Sequence, residues 1–408
     1  MAQQLSLFSD ATFEDQVFVE AFDSSEVENE NEEDIVAQGH FDLSGMAVSG
    51  TDWTTGTIVN QIQKGRIILN PSFQRRDAWT KMAKSRFIES IFLGFPIPQI
   101  ILAEHKSHKG NYIVIDGKQR LLSLMQFVLG EGNPPQKLKL SGLEILDKFN
   151  GLTYPELSHG EYSEYVEAFD NQPIRTVVIK NWPSVESLYV LFLRLNTGSV
   201  KLSPQELRQA LYPGDFIDYL NKASSDSQML RKILNISKPD FRMRDVEIML
   251  RYLAFNYYIE DYSGSMQLFL DNTCKGLNEC WSTNSFDVQK KIQDMENAMS
   301  ASFEIFGNDH AFRKFKNGDY EGRYNRAVID IMLYFFTNSE VLKKSIEKKV
   351  EIKQTFQDLC TFDSQFLAAF ESTTKSISSV VYRFRKWGEV LSLILNTQID
   401  LPLSGKIV

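Results

Sequence analysis

The chain has 408 residues, 43% of them hydrophobic, which is the length and composition of two domains with real cores. No apolar run reaches the length that spans a bilayer, no basic stretch leads into a cleavable apolar segment, and Cys274, Cys280 and Cys360 are too scattered for a disulfide framework or a zinc site. These features exclude membrane-spanning, secreted and disulfide-stapled classes and predict a cytoplasmic protein. The net charge of −9 is unevenly spread: residues 1–63 carry 13 Asp and Glu and no Lys or Arg, so 40 of the 53 acids face all 44 cations in the remainder. An acidic arm is joined to a mildly basic body. Such an arm is either a solvated tail or a competitor with nucleic acid for the body's basic surface.

In chain order, Ser24 to Gly39 (SSEVENENEEDIVAQG) is too polar to offset chain entropy and is predicted to be disordered, within an arm spanning 1–45. DWTTGTIVNQIQKG, from Asp52, reads as a short helix. RIILNPSFQRRDAW reads as a strand that ends at Asn70-Pro71 and continues as a loop. TKMAKSRFIESIFLG has Thr80 as N-cap, Gly94 as stop, and Phe87, Ile88, Ile91 and Phe92 on one helical face. PQIILAE and NYIVID are short strands around the polar HKSHKG. Leu121, Leu124, Met125 and Val128 then follow helical spacing. Residues 130–172 read as loops and short helices, PIRTVVIK as a strand, and SVESLYVLFLRLNTG and SPQELRQALY as helices, the latter with Ser203 as N-cap and Pro204 in its first turn. Beyond about residue 201 the periodicity is helical. The expected fold class is α+β: a small α/β domain over 46–200, then an all-α domain over 201–408.

The junction NYIVIDGKQRLLSLMQF, Asn111 to Phe127, places an acid, a glycine and two cations where a buried strand becomes a helix. Gly117 permits a sharp turn and close approach of backbone to a ligand. The helix start offers unpaired N–H groups and a positive dipole end, a natural phosphate site. Lys118 and Arg120 add charge there, and Arg can grip a phosphate through two bonds. Asp116 is placed to hold a divalent cation on that phosphate or to polarise water. The plainer reading is an Asp-Gly turn before an ordinary charged helix start.

This segment resembles the D-G-Q-Q-R motif of the N-terminal domain of GmrSD-type restriction endonucleases, a domain with a ParB/sulfiredoxin-like fold. Further stretches agree in order. LNPSFQRRDAW (Leu69–Trp79) resembles that family's P-x-F-Q-R-x-x-x-W, LNTGSVKLSPQELR (Leu195–Arg208) its L-N-x-G-x-x-L-x-x-x-E-L-R, and FRMRDVEIMLRYLAF (Phe241–Phe255) its downstream helical signature. The resemblance spans roughly residues 50–395 by motif placement. It implies nucleoside triphosphate binding or hydrolysis with Mg2+ in defence against foreign DNA. The nucleotide pocket it implies comprises Gln74, Arg75, Gly117, Lys118, Gln119, Arg120 and Asn196, with Asp116 and Arg120 in the catalytic role and Asp116 on the metal. Two departures stand out. Lys118 replaces the motif's first Gln, which strengthens phosphate attraction and removes an amide. The family's usual HNH nuclease needs paired His and Asn around a metal, whereas the second half offers only His310, in FGNDHAFRKF. Cutting is therefore expected from a separate nuclease subunit, or the chain acts by binding.

Other candidates have plainer readings. His105 and His108 read as a hairpin tip, Asn196 as a helix C-cap, and Glu206 with Arg208 as a helix-surface pair. YRFRKW, Tyr382 to Trp387, mixes cations and aromatics; Phe384 and Trp387 continue a core stripe, with an exposed basic face expected opposite. QLSLF, with Gln4, Leu5, Leu7 and Phe8, resembles the peptide by which bacterial replication and repair proteins dock on the sliding clamp. The expectation is a cytoplasmic, nucleotide-hydrolysing component of a DNA-restriction or anti-phage system. Its partners would be DNA, a nuclease subunit and the clamp, with a homodimer left open and no membrane. The alternatives are a non-enzymatic ParB-like DNA-binding adaptor and a DNA nickase.

Overall fold

In the computed structural model of the protein, the described residues are 44–69, 78–132, 135–184, 187–188, 191, 203–371, 374–403 and 405–406. The architecture is α+β. Among these residues, the chain up to Pro213 joins Phe241–Met243 in one compact unit, and Gly214–Asp240 with Arg244 onwards forms a second.

The first unit runs β1 (Ala47–Thr54), α1 (Thr55–Gln63), β2 (Ile67–Ile68), α2 (Lys81–Phe92), β3 (Ile100–Glu104), β4 (Tyr112–Asp116), α3 (Lys118–Val128), α4 (Tyr154–Ser158), α5 (Ser163–Asn171), β5 (Pro173–Lys180) and α6 (Pro204–Leu211). The sheet order is β1-β5-β3-β4-β2. β5 pairs antiparallel with β1 and parallel with β3, while β4 pairs antiparallel with β3 and parallel with β2. Side-chain alternation divides the core in two. Ile100, Leu102 and Val114 join α1, α2 and α3 on one face, and Ile101, Ala103, Ile113 and Ile115 join Leu207 and Ala210 of α6 on the other. Burial on both faces explains why β3 and β4 read as continuous apolar runs rather than alternating ones.

Most element starts follow their caps. Thr80 Oγ1 accepts from Ala83 N at 3.1 Å, and Gly94 stands just beyond α2 with φ +68°. One element departs from expectation. Asp52 to Thr54, expected in a helix, are the end of β1, and the helix begins at Thr55. β1 is an edge strand exposed along most of its length, so AVSGTDWT carries no apolar alternation to announce it.

The loops after α3 are tied down by one carboxylate. Glu89 of α2, 5% exposed, accepts the backbone N–H of Ile145 and Leu146 at 2.8 and 2.7 Å and that of Glu144 at 3.2 Å. Glu89→Ala leaves these donors without their acceptor and is expected to destabilise this unit by about 3 kcal/mol in urea unfolding. Glu89→Gln, which keeps one acceptor oxygen, is expected to lose less.

The second unit carries α7 (Asp215–Asp226), α8 (Gln228–Leu234), α9 (Arg244–Tyr258), α10 (Met266–Glu279), α11 (Trp281–Phe306), α12 (Arg326–Phe336), α13 (Ser339–Glu347), α14 (Lys349–Phe362), α15 (Ser364–Glu371) and α16 (Ile377–Leu395). A two-strand ribbon, β6 (Phe315–Lys316) and β7 (Asp319–Tyr320), interrupts the helices. Within it, Asp330 of α12 holds Arg251 of α9 through two bonds of 3.0 and 2.6 Å and Arg383 of α16 at 3.3 Å, all three nearly fully buried.

Candidate nucleotide site

The site is built where β4 ends. The β3–β4 register shifts between Ile101 and Leu102, so that Ile101 faces Asp116 while Leu102 faces Val114. This irregularity lies beside Asp116, where a bulge re-aims a strand's last side chain. Gly117 follows with φ +94°, a conformation that disfavours any residue with a Cβ, and α3 starts there with no side-chain cap. The first N–H groups of a helix have no partner within the helix, and here no side chain of the N-cap residue supplies one.

Arg120, one turn into α3, folds back over this start. Its Nη2 donates to Asp116 Oδ2 at 3.0 Å and to the Gln99 carbonyl at 2.9 Å. A Cβ on Gly117 would meet Arg120 Nη2 at 3.2 Å and Nε at 3.4 Å, so the guanidinium lies against the glycine backbone. Arg120 is only 7% exposed, and its Nε has no hydrogen-bond partner among the described residues. A buried charged donor without a partner is costly unless something else fills the place.

Lys118 has a different surrounding from the one expected of a phosphate ligand. Its ammonium, 6% exposed, makes a short ion pair with Glu206 Oε1 of α6. Glu206 Oε2 accepts from Ser203 N at 2.7 Å, while Ser203 Oγ accepts from Glu206 N at 3.2 Å and donates to the Arg242 carbonyl at 2.6 Å. One carboxylate thus caps α6 and neutralises Lys118. The surface-pair reading of Glu206 and Arg208 is corrected: they are 5% and 2% exposed, and Arg208 instead donates to Gln205 Oε1 at 2.5 Å. Gln119 Oε1 accepts from Trp79 N at 3.3 Å, which ties the chain just after residues 70–77 to the start of α3.

Sequence reasoning missed Glu206 and the Gln99 carbonyl as neighbours of the turn. The capping box is visible in S-P-Q-E, but nothing in the spacing says that the glutamate's second oxygen reaches a lysine 88 positions away. Gln74, Arg75 and Asn196 lie outside the described residues, as do Gln4, Leu5, Leu7 and Phe8. Asp116, Gly117, Lys118, Gln119 and Arg120 are brought together at one strand-to-helix turn.

His105 and His108 sit on the β3–β4 connection with Nδ1 atoms 3.3 Å apart, and burial followed by the neighbouring His108 holds His105 below its usual pKa. His310 stacks on Tyr320 at 4.5 Å, with Lys353 Nζ 3.3 Å from its Nδ1. In YRFRKW, Phe384 and Trp387 are fully buried as expected, but Arg383 is 0% exposed; the basic face is corrected to one that loses Arg383 to the core.

Among the described residues no three His, Cys, Asp or Glu side chains gather as a metal site. A single carboxylate at Asp116 suits Mg2+, which keeps its waters and usually arrives with substrate phosphates. It does not suit a free-standing metal centre. No helix among the described residues is long and apolar enough to cross a membrane.

Residues 55–213 match the family described as GmrSD restriction endonuclease, N-terminal domain. This segment belongs to that family. The GmrSD match ends at Pro213, where the chain leaves the α/β unit, and it contains the whole Asp116–Arg120 turn and Glu206. Membership points to a component of a restriction or defence system, and a restriction endonuclease acts on DNA. No curated protein and no solved structure matches the chain.

Proposed function

We propose that this chain binds a nucleoside triphosphate, carried with Mg2+, at the Asp116–Arg120 turn, and hydrolyses it to switch an interaction with DNA or with a nuclease partner in restriction or anti-phage defence. The observation that carries the reading is Arg120: a buried guanidinium with an unpartnered Nε, packed on a left-handed glycine at an uncapped helix start. Such a start supplies N–H donors to phosphate oxygens, and the guanidinium supplies a charged donor beside them. Asp116 is the residue that would hold the cation; Gln119 would brace the turn, and Gln74, Arg75 and Asn196 would complete the pocket. The ParB-like character of this unit and the clamp docking of QLSLF belong to the same proposal.

One observation favours the adaptor as a second reading. The Asp116 carboxylate already accepts from Arg120 at 3.0 Å, which suits a site that binds nucleotide without turning it over.

The test is nucleotide binding and phosphate release with each of the four ribonucleoside triphosphates and Mg2+, on the wild type, Asp116→Ala and Arg120→Ala. Arg120→Ala is expected to weaken binding by roughly 10- to 100-fold, the value of one or two charged hydrogen bonds. Asp116→Ala is expected to abolish release. Binding without release in the wild type selects the adaptor. No binding of any nucleotide by the folded wild type overturns both.

A further inference from the structure

A second site lies in the excursion between α3 and β5, away from the nucleotide turn in sequence and independent of its role. Phe149, Tyr162 and Tyr165 form a three-ring cluster, with centroids 5.1 Å apart for Phe149–Tyr162, 5.2 Å for Phe149–Tyr165 and 6.5 Å for Tyr162–Tyr165, all edge-on. The Lys148 ammonium sits over all three, at 5.4, 5.2 and 4.5 Å from the ring centres, and donates to Tyr165 Oη at 3.2 Å. Three rings converging on one ammonium make an aromatic cage, the arrangement by which proteins recognise cationic groups. Phe149 is fully buried and anchors the cluster, whereas Tyr165 is 36% exposed and Lys148 is exposed. Next to them Ile145, 56% exposed, presents an apolar side chain to solvent.

The charge around the cage decides what it suits. Residues 141–172 contain seven Asp and Glu, and Lys148 is their sole Lys or Arg. Asp147, Glu161, Glu164 and Glu167 are exposed, and a hydrogen bond to Glu161, ahead of burial, raises the Tyr162 hydroxyl's pKa. Exposed tyrosines beside a lysine also suit stacking with single-stranded nucleic acid. Here the acidic rim repels phosphate, and the cage already holds the group it prefers.

We propose that this face docks a lysine-rich segment of a partner protein, one of whose ammonium groups takes the place that Lys148 holds in the free chain. Lys148 is then a placeholder: it keeps the rings together when the partner is absent and competes with it when present. The acidic rim draws the basic segment in, and the cage gives it register.

The experiment uses the full chain and a fluorescein-labelled hexalysine peptide, read by anisotropy at low salt, with labelled twelve-residue oligothymidylate as the opposing probe. Lys148→Ala is expected to tighten hexalysine binding at least about two- to fivefold, the equivalent of one exposed cation–π contact freed. Tyr162→Ala/Tyr165→Ala removes the cage without changing charge and is expected to weaken it by a similar factor or more. If the double tyrosine variant fails to fold, Lys148→Ala is compared with Lys139→Ala, which removes the same charge from an exposed position outside the ring cluster, and equal tightening in the two overturns the placeholder. Unchanged affinity in Lys148→Ala overturns it as well. Wild-type affinity in a folded tyrosine variant reduces the site to its charges and overturns the cage. Preference for oligothymidylate, lost with the tyrosines, overturns it in favour of nucleic acid.

Discussion

Asp330→Ala is expected to destabilise the helical unit by about 3–5 kcal/mol. Asp330 is 4% exposed and receives Arg251 Nε at 3.0 Å, Arg251 Nη2 at 2.6 Å and Arg383 Nη2 at 3.3 Å. Its one negative charge is shared by two guanidiniums that are 2% and 0% exposed. Removing the carboxylate takes this counter-charge away from both buried cations, and it removes the side-chain bonds that tie α12 to α9 and to α16. Arg383 keeps its bonds to the Thr374 and Ala369 carbonyls, so it stays anchored rather than escaping to solvent. Asp330→Asn keeps the shape and an acceptor and should lose less. Replacing all three residues with apolar ones of similar size is expected to recover most of the loss, because a core without charges has no desolvation to offset. Thermal unfolding followed by circular dichroism, with the nucleotide site read separately, measures the difference. A loss below about 1 kcal/mol for Asp330→Ala would mean that the guanidiniums are satisfied by the carbonyls around them.

The second large effect concerns Lys118 and Glu206. Both are nearly fully buried, at 6% and 5% exposed, and each neutralises the other. Lys118→Ala or Glu206→Ala alone is expected to destabilise the α/β unit by about 3 kcal/mol, since each leaves a buried charge behind. Glu206→Ala carries the further loss of the α6 cap, roughly 1 kcal/mol. Lys118→Gln/Glu206→Gln restores an uncharged pair and the family's amide at 118. Most of the stability should return, with a coupling energy of about 1–3 kcal/mol between the two sites. Nucleotide affinity separates the two roles of Lys118. With its charge spent on Glu206, the double glutamine variant is expected to bind nucleotide within about threefold of wild type, less than the effect of one charged hydrogen bond. A tenfold or greater loss in that variant, while it remains folded, would assign Lys118 to the phosphate after all.

Much of the scaffold around the candidate site is legible in the amino-acid order. The apolar runs at β3 and β4, the Thr80 and Ser203 caps, the Pro204 start of α6 and the Asp-Gly turn each depend on residues within a few positions of one another. Local sterics and local hydrogen bonds act at that range, so the pattern can be read directly. β1 is not legible, because an edge strand exposed along most of its length needs no apolar alternation. Its position comes from pairing with β5, where Ala47 lies opposite Lys180 and Thr54 opposite Pro173.

Charge is the other blind spot. Lys118, Glu206, Arg208, Arg251, Asp330 and Arg383 all look like surface residues in a sequence, because an isolated charge is held in water by its hydration. Each is buried. Arg208 finds its partner locally, in Gln205, but the others' partners come from far along the chain: Glu206 for Lys118, Asp330 for both Arg251 and Arg383. The sequence by itself determined where the elements of the site begin and end and that an acid, a glycine and an arginine share one turn. The tertiary structure alone decided which partners the charges of that turn have, Glu206 for Lys118 and Asp116 for Arg120, because burial and pairing are properties of residues brought together, not of residues in order.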